Sequence, residues 1–205
     1  MNPWEQTFAE MVLEQRELRH QGRWLSGPSD LLSVIGRSRR ETTHSAVLAW
    51  LLDPAAPHAL GGEFLRRTLQ RCFPELVFLP DHLEGVVTQC EVFRERSRAD
   101  IVIWGPQLTV VIEAKVDAPE RPDQCNDLYA DFLADPWPHF IFLTPTGRRP
   151  MTATAQAGAA FAGWSFRDVR EDLRDVVASA GVNPRVNPAL AAMETYLTTL
   201  DLEFP

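Results

Sequence analysis

The sequence contains very little lysine. Only one of its 20 basic residues is a lysine, Lys115, and all the others are arginines. A lysine ammonium is a compact charge that can lose its proton, whereas the arginine guanidinium stays protonated. Lys115 therefore marks a position where a chemistry other than simple positive charge is expected. The alternative is that compositional bias alone explains the pattern and that Lys115 has no special role.

Cysteines and long apolar runs are also scarce. Cys72, Cys90 and Cys125 form an odd, dispersed set without C-x-x-C spacing, which predicts free thiols and not a disulfide framework or a zinc site. No apolar run approaches the roughly 20 residues that span a bilayer. The start of the chain, Met1 to Glu5, lacks the basic and then apolar pattern of a signal peptide. We therefore expect a cytoplasmic protein with no membrane partner.

The sequence also lacks a positive net charge, since its formal charge at pH 7 is −8. A protein that binds phosphates by charge alone is normally basic. If this chain acts on nucleic acid, a bound metal ion, a local arginine patch or a partner must offset its acidity. A homodimer or a basic protein partner would serve the same purpose.

The length of 205 residues suits one α/β domain. Apolar spacing and breaker residues predict helices at residues 3–24, 30–35, 41–53, 63–72, 119–133, 153–161, 166–180 and from 187 to about 200. Short apolar runs rich in β-branched residues predict strands at 86–93, 99–104, 108–115 and 139–143.

Two acids and the single lysine meet at the end of a predicted β-hairpin. Glu113 and Lys115 are two residues apart on a strand, so their side chains point to one face. If the hairpin turns near Pro106 and Gln107, Asp100 lies across from Glu113. Adjacent carboxylates are ligands that Mg²⁺ or Mn²⁺ prefers, and such an ion lowers the pKa of a bound water. Lys115 would orient or deprotonate that water, or stabilise charge on the phosphate oxygens. The competing interpretation is a surface ion pair at a strand end.

These residues resemble the PD-(D/E)XK nuclease superfamily: Asp100, the motif Glu113-Ala114-Lys115, and the following helix with Gln124 and Tyr129. The short acidic motif is common, but the string from His44 to Pro54 is far more specific and resembles one bacterial branch of the superfamily. Further matching residues are Glu41, Thr42, Thr43, His58, Gly61, Phe64, Leu65, the run Phe142 to Pro145, Gly147, and the run Trp164 to Phe166. The resemblance covers roughly residues 41 to 175.

The resemblance implies an α/β fold with a restriction-endonuclease-like core, in which helices flank a mixed central β-sheet, and with extra N- and C-terminal helices. It implies a single domain over 1–205, with an N-terminal helical extension at 1–40, the core at 41–175 and a C-terminal helix at 176–205. Asp100, Glu113 and the backbone carbonyl of Ala114 would hold Mg²⁺ or Mn²⁺, and Lys115 would be the catalytic lysine.

Two more catalytic residues follow from the resemblance. Glu41 matches an acid that often lies near the metal, and Gln124 matches a residue that lines the site and contacts phosphate. This sequence departs from the pattern at Ala99, where a proline usually precedes the first acid.

The implied activity is that of a Mg²⁺-dependent deoxyribonuclease, with DNA favoured over RNA, in bacterial genome defence. One rival is a nuclease-fold binding or regulatory module that has lost turnover. A second is an immunity or scaffold protein whose acidic surface binds a basic partner.

Six arginines predict a nucleic-acid-binding surface. One group precedes Glu41, and the other alternates along one face of a predicted strand just before Asp100, where a solvated sheet edge is the competing interpretation. They are Arg37, Arg39 and Arg40, and Arg94, Arg96 and Arg98.

Four other polar residues invite attention without a predicted catalytic role. We expect His44 to bond a backbone carbonyl or Glu41, and His58 to be a hydrogen-bonding loop residue. Tyr129 is expected to pack its ring on the sheet. Glu91 either reaches the edge of the site or faces solvent.

Overall fold

A computed structural model describes residues 2–23, 27–181 and 187–205 of the protein. In chain order, the elements are α1 (Pro3–His20), α2 (Leu31–Val34), α3 (Glu41–Leu52), α4 (Glu63–Cys72), α5 (Pro80–Leu83), β1 (Val87–Phe93), β2 (Arg98–Gly105), β3 (Leu108–Ala114), α6 (Gln124–Phe132), β4 (Pro138–Thr144), α7 (Ala155–Ala160), β5 (Phe161–Ser165), α8 (Phe166–Ser179) and α9 (Ala189–Glu203). None of the helices within these ranges is both long and apolar enough to cross a membrane.

The five strands form one mixed sheet in the order β1-β2-β3-β4-β5. Strands β1, β2 and β3 form an antiparallel meander, whereas β3, β4 and β5 run parallel to one another. Every residue of the central strand β3 is buried, as expected for a strand covered on both faces. The predicted α/β fold, with a mixed central sheet flanked by helices and with additional terminal helices, is confirmed.

Each face of the sheet has its own apolar core. Ile112 of β3 faces the larger core, which includes residues of α3, α4, α8 and α9. The preceding residue, Val111, faces the smaller core, to which α6 contributes Leu128 and Phe132. Side chains alternate along a strand, so Glu113 lies on the same face as Val111 and points toward α6. The candidate acid is thus placed on the α6 side of the sheet.

Most predicted elements lie close to the observed ones, but the helix predicted at 119–133 is wrong at its start. Helix α6 begins only at Gln124, because Asp123 has a left-handed φ of 59° and interrupts any helix entering from Pro119. Tyr129 of α6 packs its ring 5.4 Å from that of Phe140, which confirms its predicted place on the sheet. Residue 24, the last of the first predicted helix, lies outside the described residues.

Strand β5 and the short helix α5 were not predicted. The sequence predicts that residue 161 ends a helix, yet β5 starts there and pairs with β4. The strand passes so close to a loop that a Cβ on Gly163 would lie 2.0 Å from the carbonyl oxygen of Gly147. Gly163 therefore allows this close approach of two backbone segments.

Candidate active site

The β2–β3 hairpin places two acids side by side at the end of the sheet. Ile101 pairs with Ile112, so the register brings Asp100 opposite Glu113, as the position of the turn predicted. Oδ2 of Asp100 accepts a hydrogen bond of 2.8 Å from the backbone N–H of Ala114. This bond fixes the Asp100 carboxylate against the end of β3.

Glu113 is completely buried. Its Oε1 accepts hydrogen bonds from the side chains of Lys115 and Gln124. Its Oε2 is buried and has no hydrogen-bond partner among the described residues. Burial, together with the nearby charge of Asp100, raises the pKa of Glu113, and the neighbouring Lys115 opposes that rise. Burial raises the pKa of Asp100 as well, so this pair of acids favours an additional positive charge beside it.

Lys115 supplies positive charge to this acid cluster. Its Nζ lies 2.6 Å from Oε1 of Glu113, 3.2 Å from the carbonyl oxygen of Ala114 and 4.0 Å from Oε2 of Glu41. Burial lowers the pKa of Lys115, but the surrounding carboxylates outweigh burial and raise it overall. The buried ammonium is therefore protonated and acts as the internal counter-ion of Glu113.

The first residues of two helices, α3 and α6, complete the cluster around Glu113. Glu41 is the first residue of α3, and its Oε1 accepts a hydrogen bond of 2.9 Å from the N–H of Val116, just after β3. Gln124 is the first residue of α6 and donates to Glu113. The contacts thus join Asp100, Glu113, Lys115, Glu41 and Gln124, the five residues predicted as catalytic, into one cluster.

The donors in this cluster suit a hard divalent cation. No set of three or more His, Cys, Asp or Glu side chains in the described ranges has the geometry of a complete metal site. The partnerless Oε2 of Glu113 and the neighbouring Asp100 nevertheless offer carboxylate oxygens, which Mg²⁺ and Mn²⁺ prefer. Magnesium usually binds through one or two carboxylates and takes water and phosphate as its other ligands. The residues present therefore fit such an ion.

Comparison with known proteins identifies the family. The model of the PD-(D/E)XK nuclease superfamily matches residues 29–197, a range that contains the whole cluster. The chain belongs to this superfamily. No curated protein matches it. Among solved structures, the protein of unknown function AF1548 is similar over 66% of this chain and 98% of its own, at 12% identity and a TM-score of 0.29. That score is too low to support any conclusion, and the assignment rests on the family match.

In this PD-(D/E)XK protein, two arginines of the first predicted group, Arg39 and Arg40, border a cavity of about 560 Å³ beside Glu41, which we call the Arg40 cleft. It is lined by Gly36, Ser38, Arg39, Arg40, Glu41, Thr42, Asp117 and Ala118. Arg39 is held there by ion pairs to Asp117 at 2.6 Å and Glu203 at 3.4 Å. Arg37 and Arg40 are exposed and pair with no carboxylate in the described part of the chain. Among the described residues that line the cleft, Arg40 is thus a cation without an ion pair, and Arg37 lies just before the cleft in the chain.

The second predicted arginine group does not lie along one strand face, which corrects the sequence-based prediction. Strand β1 ends at Phe93 and β2 begins at Arg98, so Arg94 and Arg96 lie in the turn between them. Arg94 pairs with Asp135 at 2.8 Å, and Arg98 pairs with the exposed Glu91 at 3.6 Å. A hairpin turn replaces the predicted strand here because the chain must reverse between two antiparallel strands.

Arg148 and Glu120 also adjoin the site, although the sequence indicated no role for either. The buried Glu120 carboxylate forms an ion pair with Arg148 and accepts a hydrogen bond of 3.0 Å from the N–H of Thr152. The Arg148 guanidinium lies 5.4 Å from the ring centre of Phe142, the residue that pairs with Glu113 across β3 and β4. The available signal was a basic residue just after a parallel strand, because ligands bind beyond the carboxyl ends of such strands.

Two histidines have structural contacts, as predicted. Nε2 of His44 lies 2.8 Å from the carbonyl oxygen of Ser38, and its Nδ1 lies 3.0 Å from the Tyr196 hydroxyl. Nε2 of His58 lies 3.0 Å from the carbonyl oxygen of Asp53. Burial lowers the pKa of both imidazoles, so they are neutral at physiological pH.

Proposed function

We propose that the protein is a metal-dependent nuclease that hydrolyses phosphodiester bonds, with Mg²⁺ or Mn²⁺ as cofactor and DNA as the favoured substrate. The partnerless Oε2 of the buried Glu113, beside Asp100, carries this proposal. Buried carboxylate oxygens normally find a hydrogen-bond donor or a cation, because a buried polar atom without a partner is costly. A divalent ion would meet that requirement.

The ion would be held by Asp100, Glu113 and the carbonyl oxygen of Ala114. When bound, it would supply positive charge to the phosphate and lower the pKa of a coordinated water. Gln124 and Lys115 both donate to Oε1 of Glu113, which orients the carboxylate and leaves Oε2 available. The residues around Glu113 would therefore determine which of its oxygens faces the ion.

Lys115 would act on the reacting groups through its ammonium. Because Nζ is tethered to Glu113, it would donate a hydrogen bond to the attacking water or to the phosphate oxygens that gain charge. The carboxylate of Glu41, 4.0 Å away, holds the same ammonium from the side of α3. Glu41 also bonds the chain at Val116, so it positions the segment that carries Lys115.

Nucleic acid would approach over the Arg40 cleft. Arg37 and Arg40 have no carboxylate partner in the described ranges and can contact phosphates without first breaking an ion pair. Arg148, held over Phe142 by its ion pair with Glu120, would present hydrogen-bond donors to a phosphate on the sheet face that carries Glu113. Local arginines would thus offset the net charge of −8 where the substrate binds. The resemblance of α3 to one bacterial branch of the superfamily supports genome defence as the biological role.

Cleavage of plasmid DNA, single-stranded DNA and RNA by the purified protein tests this proposal. We expect cleavage of DNA with Mg²⁺ or Mn²⁺, none with a chelator, and none by Asp100→Asn at an unchanged melting temperature. Calorimetric titration should show metal binding by the wild type and not by Asp100→Ala. A wild type that binds nucleic acid or a basic protein but cleaves no substrate would instead identify a binding module. Equal cleavage by wild type and Asp100→Asn would show that this acid cluster does not catalyse the reaction.

A further inference from the structure

Glu120 joins two loops beside the candidate active site. It lies in the irregular segment between β3 and α6, and its side chain is only 3% exposed. Four donors from the loop after β4 converge on its carboxylate. Oε1 accepts from the Arg148 guanidinium, and Oε2 accepts from the Met151 N–H at 2.9 Å and from the N–H and the hydroxyl of Thr152, each at 3.0 Å. Glu120 therefore holds the loop after β4 against the loop after β3.

This attachment is stronger than its neighbours in the same segment. Burial raises the pKa of Glu120, but the hydrogen bonds that it accepts outweigh burial and lower the pKa overall, so the carboxylate is charged at neutral pH. Hydrogen bonds to a charged group are the stronger kind. Asp117 and Arg121 also form ion pairs, but their side chains are 61% and 55% exposed, and exposed pairs contribute little.

The attachment reaches Gln124 through the backbone. The peptide bond between Glu120 and Arg121 carries an N–H that donates to Oε1 of Gln124 at 3.3 Å. With its oxygen held there, the Gln124 amide presents Nε2 to Glu113, whose Oε1 accepts the hydrogen bond. A reversed amide would set its oxygen against the Glu113 carboxylate and its NH₂ group against the Arg121 N–H, so both bonds would be lost. The position of Glu120 thus sets which atom of Gln124 faces Glu113.

The Glu120–Arg148 ion pair also lies close to the Glu113–Lys115 pair. Cys125, which follows Gln124 on α6, is buried and within electrostatic reach of all four charges. Burial and the charges of Glu113 and Glu120 raise the pKa of its thiol, whereas Lys115 and Arg148 oppose the rise. Both ion pairs therefore lie beside the first turn of α6, which carries Gln124.

We propose that Glu120 is a positioning residue of the candidate active site, which keeps the Gln124 amide directed at Glu113 by joining the two loops. Its four hydrogen bonds go to Arg148, Met151 and Thr152, so it acts on Glu113 through Gln124. Replacing an outer partner of a metal ligand typically costs about 10- to 100-fold in metal affinity or activity. The inference rests on the proposed nuclease function for its effect on cleavage, but not for its effect on Gln124.

Glu120→Gln tests the role without changing the size of the side chain. The four donors would then face a carboxamide, which accepts only at its oxygen, so its NH₂ group would oppose either Arg148 or the loop N–H groups. The kcat for DNA cleavage should fall about 10-fold, whereas KM should change by less than about 2-fold, because the arginines of the Arg40 cleft are untouched. A loss of stability alone would not produce this split.

Asp172→Asn is the matched control. Asp172 is a carboxylate with a side chain 7% exposed that pairs with Arg71 at 2.6 Å, and it lies on α8, on the other face of the sheet. Its replacement should lower the melting temperature and leave kcat at the wild-type value. Thr152→Val is a milder second variant, because it removes one of the four donors to Glu120 and keeps the backbone N–H. It should lower kcat in the same direction as Glu120→Gln, but by less.

The side-chain amide signals of Gln124 give a readout that does not depend on activity. In ¹⁵N-labelled protein, their absence from Gln124→Ala assigns them. A hydrogen bond to a carboxylate shifts the bonded amide proton downfield, so Glu120→Gln, and to a smaller extent Thr152→Val, should move this signal toward that of a free glutamine. Unchanged Gln124 signals in both variants, or a wild-type kcat in Glu120→Gln, would overturn the proposal. A wild type that cleaves no nucleic acid, with signals that move as expected, would contradict the nuclease function and support the positioning role.

Discussion

The ammonium of Lys115 lies 2.6 Å from Oε1 of Glu113, and both side chains are buried. The two residues follow each other on one face of a strand, so the backbone alone brings them together. This contact occupies one carboxylate oxygen and leaves Oε2 without a partner in the described ranges. The same lysine can therefore neutralise Glu113 and stand beside an ion bound at its other oxygen.

The first prediction concerns the identity of this lysine. Lys115→Arg should fold and still bind metal, yet lose about 100-fold or more of its cleavage rate, because a larger planar fork cannot place its donors where the compact ammonium does. Lys115→Ala should be no less impaired, since it also removes the charge facing the phosphate. Plasmid cleavage rates and melting curves check both variants.

Arg167→Lys is a suitable control, since Arg167 is exposed and forms a surface ion pair with Glu171 on α8. It should keep the wild-type rate. Full activity in Lys115→Arg would mean that compositional bias explains the lone lysine.

A second prediction concerns His139 on β4, far from the acid cluster. Its ring lies 4.8 Å from Phe73 and 4.7 Å from Trp137, and its Nε2 has no partner in the described ranges. Burial lowers the pKa of His139 to about 4. Between the unfolded value of about 6.5 and this folded value, the unfolded chain binds more protons, so stability falls as pH falls.

Replacing His139 by phenylalanine should remove that loss, which amounts to about 3 kcal/mol at most for a shift of this size. Denaturant unfolding at pH 7 and pH 4.5 measures the difference. The wild type should lose more stability than His139→Phe over this interval. Equal losses would show that His139 is not held neutral in the folded protein. Above pH 7 the stability of both proteins should depend on pH in the same way, because the imidazole is then uncharged in the folded and in the unfolded chain.

A third prediction concerns the Arg40 cleft. Arg40→Ala should weaken DNA binding for all sequences and reduce the slope of log affinity against log salt by about one, because one phosphate contact is lost. Arg174→Ala is the matched control, since Arg174 is also exposed but pairs with Asp201 at 2.8 Å. Fluorescence anisotropy at several salt concentrations measures both. An unchanged slope in Arg40→Ala would place the nucleic acid elsewhere.

The hairpin and the family could be predicted from the sequence because their signals are local. Two apolar runs flank the turn at residues 105–107, and their lengths alone align Asp100 with Glu113. Helix α3 follows from a similar apolar run that ends at a proline. Lys115 is then predicted on the same face as Glu113, because side chains alternate along a strand.

Other features depend on contacts between distant segments and could not be read locally. Arg39 is neutralised by Asp117, 78 residues away in sequence, which no local pattern indicates. Glu120 and Arg148 meet only because two loops pack together beyond the ends of β3 and β4. Strand β5 is short and contains Ala162 and Gly163, so its pairing with β4 depends on the neighbouring strand and not on its own composition.

The most direct test of the account is a crystal structure of the protein soaked in Mn²⁺, with anomalous scattering to locate the metal. We expect an anomalous peak between the carboxylates of Asp100 and Glu113, with Oε2 of Glu113 and the carbonyl oxygen of Ala114 among the ligands. Oε1 of Glu113 should remain bonded to Lys115. Crystals saturated with Mn²⁺ that show no peak between Asp100 and Glu113 would contradict the account.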